Sequence, residues 1–311
     1  MIRQEHTNKC PSKMILAVLF VFLESYLFLL EHSVCYAETV QDNQTKVLLV
    51  PQQFPAIQSA VDAAVNGDTI LISPGDYCES VDMQYKNICL SGSGGSQTKI
   101  IWDGSDYMHP VIDHIAAGTI QFLTIYSHSM NDEDGTKPRF APAYCVHIDN
   151  DYSQNQTIYF NDVSFHSDSG TAVGIGLRPH CKVFLKNCIL RTEGDAAPAL
   201  FVHNWSVVNP PADMKGQQLI LDNCFLENAS YQMATIVVQN ECYGEHLADI
   251  IFQNRNIIQN KGHDKWIDGI RTEEKYSAGI MNFIFDAKEL SRLQKTPEIS
   301  DFQILNKGVL E

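Results

Sequence analysis

The sequence has no cluster of lysine or arginine to set against a formal net charge of −15. That absence argues against nucleic acid as a partner, because phosphate backbones are held by clustered cations. An acidic surface also disfavours acidic polymers unless local basic groups or a bridging cation intervene. No CxxC pair is present, so zinc bound at the usual cysteine spacing is not expected, and no metal site is assigned. Long amphipathic helical patterns are missing between the later apolar runs. Strand follows strand instead, which argues against α/β layering.

What is present begins with an export segment. Arg3, Lys9 and Lys13 precede the apolar run MILAVLFVFL (14–23), and VCYA ends at Ala37. A positive start, an apolar centre and a small residue before cleavage describe a signal peptide over 1–37. The mature domain is then 38–311, secreted to an extracellular or periplasmic location. The alternative is an uncleaved membrane anchor, since apolar character resumes in YLFLL (26–30), although Glu24 and Ser25 interrupt it. Cleavage removes Cys10 and Cys35 and leaves cysteines at 78, 89, 145, 181, 188, 224 and 242. An odd number leaves a free thiol or an intermolecular bond. Glycosylation sequons stand at Asn43, Asn155, Asn204 and Asn228.

The chain is internally repetitive. IQFLTIYS (120–127), IYFNDVSF (158–165), VFLKNCIL (183–190), LILDNCFL (219–226) and IIFQNRNI (250–257) share one pattern. Aligned end to end, they put Phe122, Phe160, Leu185, Leu221 and Phe252 in one column. Two residues on come Thr124, Asp162, Asn187, Asn223 and Asn254, followed by Ile125, Val163, Cys188, Cys224 and Arg255. A fixed strand pattern at irregular spacing predicts a parallel β-helix, in which insertions bulge at the turns. Columns then stack about 4.8 Å apart. The Asn/Asp column predicts a side-chain ladder, and Cys188 with Cys224 predicts stacked thiols or a disulfide. A second strand follows each copy: 143–151, 171–179, 198–206, 233–241 and 277–285. Their alignment predicts an inward column Val146, Ile175, Val202, Val237 and an outward one His147, Gly176, His203, Val238.

FPAIQSAVDAAVNGDTILISPGDYCESVDM (54–83) and NICLSGSGGSQTKIIWDG (87–104) resemble the opening of the pectin lyase-like superfamily, pectinesterases in particular. The resemblance covers about 50 residues. It implies an all-β fold, a single-stranded right-handed parallel β-helix, with a short N-terminal capping helix near 56–64. The G-x-Y-x-E motif is Gly75-Asp76-Tyr77-Cys78-Glu79. It also implies a carbohydrate-active protein of the cell-wall kind. The family's catalytic motifs have no counterpart in the sequence: Q-D-T-L and D-F-I-F-G are absent, NFIFD (282–286) lacks the preceding Asp, and GLRPH (176–180) is out of order. The family's catalytic residues are therefore transferred to no position.

The repeats offer their own candidates. In the predicted outward column His147 and His203 flank Gly176, whose missing side chain leaves a notch, with Asp149 and Arg178 two residues further along their strands. These four ionisable groups are the candidate catalytic set, and Gly176, His180, Asn204 and Trp205 the candidate substrate-binding set. Carboxylate, imidazole, guanidinium and an aromatic face suit polysaccharide chemistry. The bland alternative is a solvated face. Asp132, Glu133 and Asp134 read as a solvated loop or a Ca²⁺ site, and DAKELSRLQK (286–295) as a short closing helix. Three functions fit: a pectinesterase-like esterase acting on a polysaccharide such as pectin; a polysaccharide lyase with Arg178 or a His as base and Ca²⁺ as cofactor; and a non-catalytic glycan-binding β-helix. The esterase needs no cofactor, and a monomer is expected.

Overall fold

The computed structural model describes residues 45–102, 109–128, 144–148, 156–177, 180–194, 197–204, 216–229, 234–240, 247–260, 270–274 and 280–285. The expected export segment 1–37, the acidic run 132–134, Cys242, the sequons at Asn43 and Asn155 and the expected closing helix 286–295 lie outside them. Every ladder between the described strands is parallel. Each coil lays its strands on those of the coil before, so the chain is a single-stranded parallel β-helix. Crossovers between parallel strands in one sheet are right-handed.

Three faces enclose the core. The first stacks Val47–Val50, Thr69–Ile72, Asn87–Ser91, Ala117–Ser127, Thr157–Ser167, Lys182–Lys186, Gln217–Asp222, Leu247–Gln253 and Ile280–Phe285. The second contains Gly75–Cys78, Thr98–Trp102, the later halves of 117–127 and 157–167, Ile189–Thr192, Phe225–Asn228 and Ile257–Asn260. The third is a separate seven-stranded sheet of Val81–Asp82, Ile112–Asp113, Tyr144–Ile148, Thr171–Leu177, Leu200–Asn204, Ile236–Asn240 and Ile270–Glu274. Alternation sends every second side chain inward. Ile70, Leu90, Ile120, Phe160, Leu185, Leu221 and Phe252 make one inward column, all of them buried. Removing each such side chain from water stabilises the fold by roughly 1.5–3 kcal/mol.

From the strand 117–127 onward, the first face turns into the second at one left-handed residue per coil. Phe122, Asp162, Asn187, Asn223 and Asn254 all have left-handed backbones, with φ of 57°, 55°, 53°, 55° and 61°. Asn and Asp tolerate that region because their short polar side chains bond locally. The predicted ladder forms in part: Asn223 Nδ2 donates to Asn187 Oδ1 at 2.9 Å, and Asn187 Nδ2 to Asp162 Oδ1 at 3.2 Å. Asn254 donates to Asp222 instead.

Two of the sequence alignments need correction. Phe160 pairs with Ile120, not Phe122, so Phe122, not Thr124, is the bend residue of its coil, and Leu123 rather than Ile125 pairs with Val163. A phenylalanine with positive φ is uncommon, which is why the pattern slipped by two. In the last repeat, one extra residue between Gln253 and Ile257 moves Arg255 out to solvent and puts Asn256 beside Cys224. Asn256 is fully buried and answers with three bonds, accepting from Cys224 N at 2.8 Å and donating to the carbonyls of Leu221 and Gln253.

Cys188 and Cys224 are stacked as free thiols, not a disulfide. Burial, together with the adjacent Cys224, pushes the Cys188 thiol well up. Cys145 and Cys181 are likewise buried and in no disulfide, and Cys78 is exposed. Thiolate is the reactive form. Ellman's reagent with peptide mapping should therefore mark Cys78 in the native chain and Cys145, Cys181, Cys188 and Cys224 only after unfolding. The sequon at Asn228 falls on a fully buried side chain that accepts from Thr235 Oγ1, so folding closes it to glycosylation.

The N-terminal helix (α1, Ile57–Ala63) buries Ile57, Ala60 and Val61 against the first coil, and Gly67, at φ 95°, turns the chain out of it. Glu79 of the G-x-Y-x-E motif explains itself here. Its two carboxylate oxygens accept the amides of Ile57 at 2.9 Å and Gln58 at 3.0 Å, satisfying two first-turn donors. Glu79→Ala should lower stability by about 1–2 kcal/mol, read as a lower urea midpoint with unchanged slope.

Candidate functional site

The third sheet places the sequence-predicted residues in a different register from the one expected. His147 pairs with Gly174, and Gly174 with Phe201; Gly176 pairs with His203, and His203 with Gln239. The outward column of His147, Gly176, His203 and Val238 is therefore corrected to His147, Gly174, Phe201 and Val237. Inward, Ile148, Ile175, Val202 and Val238 form one column, while Val146 pairs with Val173. The two histidines still meet, on a diagonal. Tyr144 stacks on His147 with centroids 4.5 Å apart, His147 on His203 at 6.2 Å, and Phe201 lies 5.5 Å from His203. Gly174, not Gly176, makes the room: a Cβ there would lie 2.6 Å from Tyr144 Cε1 and 2.7 Å from His147 Cδ2.

This cluster is packed rather than open. All seven residues of Thr171–Leu177 are buried, and His203 is only 4% exposed. Burial lowers the His147 pKa, with Asp113 opposing. His180 has φ 56° and sits at the turn toward the first face, under Gly216 rather than beside the rings. Asp149, Arg178, Trp205 and the side chain of Asn204 lie outside the described residues.

A better-furnished group, missed in the sequence, stands where the second face ends. Three consecutive coils finish in Tyr126-Ser127-His128, His166-Ser167-Asp168 and Arg191-Thr192-Glu193. The middle residues are buried, so alternation sends both flanking residues outward. Register stacks Tyr126, His166 and Arg191 in one column, and the bonds from Asp168 N to Ser127 O and from Glu193 N to Ser167 O extend it to His128, Asp168 and Glu193. Asp168 is the hub. Its Oδ1 accepts the Tyr126 hydroxyl at 2.7 Å, and its Oδ2 faces His128 Nδ1 at 2.8 Å. A carboxylate only accepts, so Nδ1 carries the proton and Nε2 is the basic nitrogen. His128 is 41% exposed and Asp168 19%.

The coil on the other side of His166 completes the group. His166 Nε2 lies 3.8 Å from Asp168 Oδ1 and 3.6 Å from Glu193 Oε1, and its ring meets Tyr126 edge-on at 4.9 Å. Burial and the Asp168 bond push the Tyr126 phenol far up, so it stays a donor. Arg191 turns away to Glu227, 3.3 Å off, and over the Phe225 ring. A partly exposed imidazole whose Nδ1 is held by a carboxylate is equipped as a general base through Nε2. The signal was legible as an outward pair around a buried Ser or Thr. The slip at Phe122 hid it, setting His128 opposite His166 instead of Asp168.

At the turn from the third face to the first lies a concavity of about 490 Å³, lined among others by Tyr85, Tyr159, Asn66, Asn87, Gln156 and Thr119. Aromatic faces, amides and hydroxyls without a charged group suit neutral sugar units.

No protein-family profile matches the chain, and no curated protein does. Solved structures similar to it include the pectin methylesterase from Aspergillus niger, at 14% identity and a TM-score of 0.47 over 78% of this chain and 84% of that one. Pectin methylesterase from Erwinia chrysanthemi gives 14% and 0.44 over 83% and 97%. Pectin methylesterase from carrot gives 13% and 0.40 over 75% and 88%.

Proposed function

We propose that this pectin lyase-like β-helix is a secreted carbohydrate esterase of the pectinesterase kind, acting on methyl-esterified pectin or a related polysaccharide, with His128 as general base. The observation that carries the reading is the His128–Asp168 pair, in which Nδ1 of a 41% exposed imidazole faces the carboxylate at 2.8 Å and leaves Nε2 as the nitrogen not turned to it. Support comes also from the opening sequence 54–104, which resembles pectinesterases.

The chemistry follows from the geometry. His128 Nε2 takes a proton from a water molecule as that water attacks the ester carbonyl. Asp168 holds the ring in the required tautomer and stabilises the imidazolium that forms, and the Tyr126 hydroxyl fixes the carboxylate in turn. The proton returns from His128 to the departing methoxide, giving methanol and a uronic acid, whose carboxyl proton passes to solvent to leave the uronate. Net charge favours turnover: at −15 the protein repels the anionic product more than the neutral ester.

Methanol release from methylated pectin by the purified chain tests the reading. Saturable release lost in His128→Ala is the expected result. No release from any methylated pectin at pH 5–9 would overturn it, and an ultraviolet-absorbing unsaturated product in its place would assign the chain to the lyases. Sequencing the N-terminus of the exported protein tests cleavage after Ala37.

A further inference from the structure

We infer that His166, Asp168 and Glu193 form a binding site for one divalent first-row transition metal ion of the zinc class. One ligand atom from each lies within 4.8 Å of the others. The absence of CxxC argues only against a thiolate site and does not bear on this set.

The spacing is the first argument. His166 Nε2 stands 3.6 Å from Glu193 Oε1 and 3.8 Å from Asp168 Oδ1. Both distances exceed those of hydrogen bonds between such groups. Ligands held about 2.0–2.2 Å from a tetrahedral ion are ~3.4 Å apart along each edge. The two separations from His166 are thus close to those of atoms sharing a cation, and the third, between the carboxylates, is within 4.8 Å.

The surroundings are the second. Ligating carboxylates are held by further hydrogen bonds that fix their orientation. Asp168 has two such bonds, from the Tyr126 hydroxyl and from His128 Nδ1, at 2.7 and 2.8 Å. His166 is on a strand whose ladder to both neighbouring coils is continuous, so its backbone does not wander. Arg191, the cation next in its column, is drawn off to Glu227, which keeps its charge from the ion. Glu193 is 67% exposed and His166 34%, leaving the outward side open for water or substrate.

Third, the donor set selects the metal. One imidazole with two carboxylates suits zinc, manganese or cobalt better than calcium, which prefers six to eight oxygens. Binding does not depend on the esterase reading. Only its use does: on the coil next to His128, such an ion would polarise the ester carbonyl that the His128-activated water attacks.

The test separates the two. The purified chain, dialysed against EDTA and then buffer, is titrated with Zn²⁺ by calorimetry, and Co²⁺ binding is followed by visible absorption. One saturable site is expected, abolished in His166→Ala, weakened at least tenfold in Glu193→Ala, and weakened about 10–100-fold in Tyr126→Phe, which loosens Asp168. His180→Ala should bind as the wild type does. Absence of saturable Zn²⁺ and Co²⁺ binding overturns the inference, as does unchanged affinity in His166→Ala. Tighter binding of Ca²⁺ than of Zn²⁺ overturns the assignment of metal class. Methanol release that persists in EDTA and is lost in His128→Ala would leave the esterase reading standing without the metal. A zinc site in a chain that hydrolyses no ester would do the reverse.

Discussion

His128→Ala is expected to reduce methanol release from methylated pectin by about 10²–10⁴-fold in kcat, the usual contribution of a positioned general base. KM should change little, because the side chain is assigned to proton transfer and not to holding the polymer. The fold should tolerate the change: His128 follows the end of its strand and is 41% exposed, so the melting temperature should stay within about 2 °C, in keeping with the small effect of surface substitutions. Asp168→Asn keeps the shape but offers an amide in place of a pure acceptor, so the imidazole no longer has a reason to carry its proton on Nδ1. Its kcat should fall nearly as far, while Tyr126→Phe, which removes one bond to the same carboxylate, falls less. Steady-state kinetics on the three variants check the order. Equal and full activity in all three would leave the pair a surface contact.

The fold was readable because a β-helix repeats its physics. Each coil needs inward apolar residues at alternate positions and a residue that accepts a left-handed backbone at the bend. Asp162, Asn187 and Asn223 announce both requirements in the sequence. Phe122 does not, since nothing about phenylalanine signals a positive φ, and one such residue shifted a whole coil by two. That shift broke the pairing of His128 with Asp168, and the site with it. The third sheet failed for a related reason. Tyr144–Ile148, Thr171–Leu177 and Leu200–Asn204 have no bend residue to pin the alignment, and β-branched residues at neighbouring positions make several registers look alike. Glu79 was visible as a motif but not as a cap, because its partners Ile57 and Gln58 precede it by some twenty residues.

Gly174→Val should cost the fold about 1–3 kcal/mol, with a fall in melting temperature of roughly 2–4 °C per kcal/mol. Even the first added carbon would lie 2.6 Å from Tyr144 Cε1 and 2.7 Å from His147 Cδ2, so the Tyr144–His147–His203–Phe201 stack must shift. Acid should expose the same stack. Burial holds the His147 pKa below its ordinary value of 6.5. The unfolded chain then binds the extra proton first as pH falls through about 6.5, and stability drops with it until the folded chain titrates too. His147→Phe keeps a flat ring and removes the proton site. Its stability, measured by urea unfolding from pH 8 to pH 5, should fall less steeply than that of the wild type, although other histidines titrate in both. Gly174→Val should also be flatter, since a displaced imidazole regains water and its ordinary pKa. If all three proteins lose stability in parallel, His147 is not buried in the native chain, and the ring stack over Gly174 is not what fills that face.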